Sequence, residues 1–135
     1  MRLWHPLMIP HLPHRQLQSQ HCEICGMRGN GWGKPHATVD YVWQYPPGYL
    51  YRYHVRVMDE LIRRGVNVDL KWYDKRYRGR NCKPWIFTGP ENDYPEHNTV
   101  YLAECILNLM SGERPGGGRK NKVLNPLLDG VGVMR

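Results

Sequence analysis

The sequence predicts a mainly α-helical, compact single domain of about three principal helices with long irregular connections. Two observations support this. A chain of 135 residues suits one domain with an ordinary core. Apolar residues recur at helical spacing in three stretches, each bounded by breakers or caps. The helical domain is expected over 1–115, followed by a basic, mobile tail over 116–135.

The elements follow in chain order. Pro6, Pro10 and Pro13 exclude a continuous helix from residues 1–13. From Pro13 to Cys25 no breaker intervenes, and Gly26 offers a stop. On this first helix Leu17, His21, Ile24 and Cys25 form one stripe, with Gln16, Gln20 and Glu23 beside it at i, i+4, i+7. Arg28-Gly29-Asn30-Gly31-Trp32-Gly33-Lys34 reads as a loop whose glycines let the backbone approach a partner. Its Gly, Lys and Ser/Thr spacing is not that of a P-loop. Residues 36–44 fit a short helix slightly better than a strand, and Pro46-Pro47-Gly48 ends them. The helix from Tyr49 to Arg64 carries Leu50, His54, Val57, Met58, Leu61 and Ile62 on one face, with Gly65 as its cap. Residues 66–95 lack a long period and hold two aromatic and basic clusters, Trp72 to Arg78 and Lys83-Pro84-Trp85. Asn98 or Thr99 then caps a third helix whose apolar face includes Tyr101, Leu102, Cys105, Ile106 and Leu109. Pro-Gly-Gly-Gly-Arg-Lys opens the tail, in which Val123 to Val133 carries apolar residues.

Charge and aromatic content narrow the function classes. The net charge is +7, with basic residues spread along the first two-thirds of the chain. Distributed charge suits a surface that follows a phosphate backbone. Nine tyrosines and five tryptophans against one phenylalanine favour rings with a polar handle, able to stack on bases or to build a core. No apolar run approaches the about 18 residues of a membrane span, and no hydrophobic signal region is present. The expected location is cytoplasmic, nucleoid-associated when on DNA, with the four cysteines reduced.

Two features carry candidate chemistry. No polar extension precedes Met1-Arg2-Leu3-Trp4-His5, so the α-amino group is expected close to the body of the protein. α-Amines in general titrate at about 7.7–8.0 and form Schiff bases with electrophilic carbons. Glu23, in the helix that follows, supplies a carboxylate. A lone Cys-x-x-Cys, Cys22 to Cys25, falls short of the four ligands zinc needs, so no metal is expected. His54 reads as a core histidine; His36, after the basic loop, reads as a DNA contact.

Four stretches then resemble the small pyrimidine-dimer DNA glycosylases of the phage endonuclease V type. They are Met1-Arg2-Leu3; Gln16-Leu17 through His21-Cys22-Glu23-Ile24; Gly33-Lys34-Pro35-His36-Ala37-Thr38-Val39; and Glu60 to Val68 with Tyr77-Arg78-Gly79 and Tyr94-Pro95-Glu96-His97. The resemblance implies that the α-amine of Met1 attacks deoxyribose C1′ and that Glu23 stabilises the sugar cation and assists proton transfer at C2′. It implies double-stranded, damaged DNA as partner, a monomer, and no cofactor. The chain departs from the family pattern at Cys22, where a basic residue is usual, and at Gly26, where an arginine is expected with Arg28 the nearest substitute. A family histidine of the first helix falls on Gln16.

The expected DNA contacts are Arg2, Arg15, Arg28, Lys34, His36, Lys75, Arg76, Arg78 and Arg80. The alternatives weighed beside this enzyme are a non-catalytic DNA-binding protein and a small zinc protein.

Overall fold

The structure, a computed structural model, describes residues 1–111. The expected tail lies outside them. Among the described residues there is no strand, and three α-helices account for the architecture: α1 (His14–Arg28), α2 (Pro47–Arg63) and α3 (Thr99–Met110). Short 3-10 segments at Pro6–His11, Asp40–Gln44 and Leu70–Tyr73 punctuate the connections.

The N-terminal stretch is more ordered than its prolines suggest. A 3-10 turn tolerates them where an α-helix does not, and His5 Nδ1 caps it by accepting from the Leu7 N–H at 3.1 Å. Met8 and Ile9 become buried as a result.

Helix α1 runs one turn past the expected stop at Gly26. Glycine in a helix interior costs only about 1 kcal/mol relative to alanine. The last turn offsets this by burying Met27 in the core. The chain leaves at Gly29, whose N–H reaches the carbonyls of Cys25 and Gly26 at 3.1 Å each. Gly31 then presses on the helix end: a Cβ there would stand 2.8 Å from the Gly26 carbonyl oxygen. This close approach is internal, so the absence of a side chain at Gly31 serves the fold.

Helix α2 begins at Pro47, two residues before the expected start, because proline is accommodated in the first turn. Leu50, His54, Val57, Met58 and Leu61 are buried as the periodicity requires, whereas Ile62 is left exposed. Gly65 follows the helix with φ +86, a conformation side chains other than glycine rarely adopt. Asn98 caps α3 by accepting from the Tyr101 N–H at 2.9 Å. Leu3, Trp4, Leu17, Ile24, Val57 and Leu109 belong to one hydrophobic core shared by the N-terminal segment and all three helices.

One buried side chain makes three of the contacts that hold the irregular stretch after α2. The Arg28 guanidinium donates to the carbonyls of Trp72 and Asp74 at 2.8 Å and of Tyr77 at 2.9 Å. It also lies 5.0 Å from the Trp72 ring. A loop with no hydrogen-bonded ladder of its own thereby satisfies three carbonyls.

Candidate active site

The N-terminal segment is fixed by side chains from all three helices and from the connection between α1 and α2. Gln20 on α1 is almost fully buried and grips the main chain twice: Nε2 donates to the Arg2 carbonyl and Oε1 accepts from the Trp4 N–H, each at 2.9 Å. The Tyr53 hydroxyl, from α2, reaches the Trp4 carbonyl at 2.6 Å. The Tyr101 hydroxyl, from α3, reaches the Leu3 carbonyl at 2.6 Å. The Thr38 hydroxyl donates to the carbonyl of Met1 itself. Ends of chains ordinarily fray unless tied down; this one is tied at four consecutive residues.

Met1 and Glu23 face one cleft of ≈ 570 Å³, the largest concavity among the described pockets. Burial pushes the Glu23 carboxyl up from the ordinary carboxylate range; the positive α-ammonium of Met1 and a hydrogen bond from Gln20 pull it back down. That Gln20–Glu23 bond is long, 3.4 Å. The carboxylate is therefore partly desolvated and weakly held, close enough to the terminal amine to feel its charge. Such an arrangement raises a carboxylate's strength as a base.

The expected DNA contacts divide sharply. Lys34, His36, Arg78 and Arg80 line the same cleft as Met1 and Glu23. Arg78 is also tied down, donating to the Arg28 carbonyl at 2.8 Å and the Gly29 carbonyl at 3.0 Å. Arg15 lies exposed in the first turn of α1, away from the cleft lining. Lys75 pairs with Glu91 at 3.4 Å, and exposed Arg76 donates to the Trp85 carbonyl at 2.6 Å. Arg2 leans over the Trp4 ring, its guanidinium 5.5 Å from the ring centre. The Asn108 amide, oriented with its oxygen toward Arg2, accepts from both terminal nitrogens at 2.7 and 3.0 Å.

Arg28 is the correction. Its exposure is 0%, so no phosphate can reach it in this fold. It holds the 72–77 loop and does not stand in for the arginine absent at Gly26.

The structure also groups residues that the sequence kept apart. His21 Nδ1 lies 2.9 Å from His54 Nε2, and Cys25 Sγ is within 4.8 Å of both imidazoles. Two imidazoles and a thiol are a donor set suited to zinc or another thiophilic ion. The hydrogen bonding opposes such use. Arg28 Nη1 can only donate, so His54 Nδ1, 2.9 Å away, must accept. The His54 proton then sits on Nε2, the atom that a metal would need. Burial holds His54 and His21 neutral and pushes the Cys25 thiol up to about 12, so it is not a nucleophile at neutral pH.

Sequence reasoning missed Gln20 as a clamp and Trp43 as part of the cleft wall. A glutamine in a polar helical stripe looks like surface, and nothing local reveals that it faces the N-terminal backbone. Trp43 gave a faint signal: its indole N–H must find an acceptor, and it takes the Lys34 carbonyl at 3.0 Å.

No curated protein and no solved structure matches the chain. The family model described as pyrimidine dimer DNA glycosylase matches residues 1–74, just over half the chain. That stretch holds the clamped terminus, Gln20, Glu23 and α2, and the chain belongs to the pyrimidine dimer DNA glycosylase family.

Proposed function

We propose that this protein is a DNA glycosylase with abasic-site lyase activity, with the α-amine of Met1 as nucleophile and Glu23 as acid–base group. The observation that carries the reading is the shared cleft, in which the Glu23 carboxylate sits within the field of the Met1 ammonium.

The neutral amine attacks C1′ of a damaged nucleotide, the C1′–N glycosidic bond breaks, and the base leaves with the bonding pair and a proton. The C1′–O4′ bond then opens, O4′ takes a proton, and the nitrogen becomes a protonated Schiff base. Glu23 removes a proton from C2′, and the electron pair expels the 3′ phosphate, cutting the strand on the 3′ side of the sugar. A half-buried carboxylate suits both stabilising the cationic sugar and moving the C2′ proton. Lys34, His36, Arg78 and Arg80 line the route by which the phosphates arrive. Pyrimidine dimers are the substrate that the family membership favours.

Borohydride tests the chemistry because it reduces the Schiff base to a stable amine. A duplex carrying a dimer or an abasic site should become covalently linked to the protein, with peptide mass spectrometry placing the sugar on Met1. An adduct on Lys34 would overturn the assignment of the nucleophile. No adduct on either substrate would leave a non-catalytic DNA-binding protein.

A further inference from the structure

Beyond the cleft, the segment from Trp85 to Thr88 is built in an unusual way. Its two ends are anchored. Trp85 exchanges backbone and side-chain hydrogen bonds with Arg76: its N–H reaches the Arg76 carbonyl at 2.9 Å and its carbonyl receives Arg76 Nε at 2.6 Å. Thr88 is buried, and its carbonyl accepts from the Gly48 N–H at 2.7 Å at the start of α2. Between these anchors Ile86 is 93% exposed and Phe87, the chain's single phenylalanine, is 81% exposed.

Single apolar side chains on a surface are ordinary. Two large neighbours held out in water by fixed flanks are not, because the same anchors prevent them from folding back onto the core. Their surroundings identify a partner. The Arg78 guanidinium lies 4.7 Å over the Trp85 ring, and Lys83 is exposed two residues before Trp85. Trp85 meets Trp32 edge-on at 5.3 Å, and Trp32 meets Trp43 of the cleft wall at 4.9 Å. The apolar pair thus stands beside basic side chains and is joined to the cleft through three indoles in edge-to-face contact.

We propose that Ile86 and Phe87 form a wedge that enters duplex DNA between base pairs next to the nucleotide held in the cleft. Apolar side chains pushed into a base step unstack it and kink the duplex. A nucleotide whose sugar must reach Met1 cannot stay stacked. The wedge would hold open the gap while the arginines and lysines hold the phosphates. The inference rests on the reading of this protein as one acting on DNA, and it assigns that reading its distorting element.

The test uses the full chain and the I86A/F87A double variant; both positions are solvent-exposed, so the fold has no stake in them. A duplex with 2-aminopurine beside an abasic site reports unstacking by its fluorescence. Cleavage is measured on that duplex and on the same strand with the site in an unpaired bubble. Wild type should brighten the probe on binding. The double variant should leave it dark and cut the paired duplex about tenfold or more slowly, since part of the cost of unstacking one step is no longer offset. In the bubble, where the step is already open, the variant should cut within about twofold of wild type.

Equal cleavage of the paired duplex by both proteins would overturn the wedge, and so would equal losses on both substrates. A wild-type dimer in sedimentation that the double variant abolishes would assign the pair to self-association instead. If borohydride trapping fails while the fluorescence rise survives and depends on Phe87, the wedge stands and the catalytic reading falls.

Discussion

Glu23 and Arg28 lie five residues apart on the same helix, and the protein treats them in opposite ways. Arg28 is sealed, with three carbonyls and one imidazole nitrogen arranged around its guanidinium. Glu23 is half-buried, has one long hydrogen bond, and opens on the cleft. Burial makes both charges costly. Arg28 receives four partners, although burial still lowers its pKa to about 10 and leaves Nε without one, and it is the structural residue. The carboxylate keeps its raised affinity for a proton, a property useful in chemistry and of no use to stability.

The largest expected effect is on the sealed side. R28A would strand buried carbonyl groups and the His54 nitrogen, each at about 1–3 kcal/mol. We expect a loss of at least about 3 kcal/mol in urea unfolding. R28K should recover little of it, since an ammonium cannot fork among acceptors spread from residue 54 to residue 77. A variant R28K as stable as wild type would show that charge alone suffices and would erase the contrast.

The open side should respond in function instead. E23Q should melt within about 0.5 kcal/mol of wild type while strand cleavage falls about a hundredfold or more. Replacing a carboxylate that burial already disfavours removes only a long hydrogen bond from Gln20 and the attraction of the Met1 ammonium. Wild-type cleavage rates for E23Q would end its assignment as the acid–base group.

Acid sharpens the comparison further. Burial, then neighbouring His5, holds His97 down at about 4, where it accepts or donates at 2.6 Å with the Tyr41 hydroxyl. Its folded value lies below its unfolded value of about 6.5, so the unfolded chain takes up the proton first. The resulting stability is full above about pH 6.5 and is lost as the pH falls from there toward about 4, at most on the order of 3 kcal/mol. His54 and His21 act in the same direction. Melting followed from pH 7.5 to 4.5 should show a steady decline, less steep in H97Q; a flat profile would contradict the burial argument.

The smallest effect concerns phosphate contacts. If about five phosphates are neutralised, log affinity for duplex DNA should fall against log salt with a slope of roughly −4 to −5. R80A should flatten it by about one unit and weaken damaged and intact duplex alike. Arg80 is a cleaner probe than Arg78, whose guanidinium also braces the Arg28 and Gly29 carbonyls. An unchanged slope in R80A would remove it from the interface.

What the sequence revealed follows from the range of the interactions involved. Helices α2 and α3 were legible because periodicity and caps such as Asn98 operate within a few residues. Met1 and Glu23 were singled out from motifs in the first helix and the terminus, and the fold brings both to one cleft. Arg28 was misread because its acceptors lie 26 to 49 residues away, and an arginine beside glycines looks like a surface loop. Gln20 went unnoticed for the same reason: its partners are the backbone groups of Arg2 and Trp4, which carry no side-chain pattern. The extension of α1 past Gly26 depended on tertiary burial of Met27, which outweighs local propensity.

The clamp on the first residues also bears on how the protein comes to be active. Gln20, Tyr53 and Tyr101 come from three different helices, and each holds a different carbonyl or amide of the same short segment. Under the proposed mechanism, the amine reaches the cleft only after all three helices have docked. Activity would then be a checkpoint on assembly: a half-folded chain has an amine but no cleft in which to use it. In refolding, borohydride-trappable protein should appear with the last phase of tertiary packing and not with the earlier gain of helix.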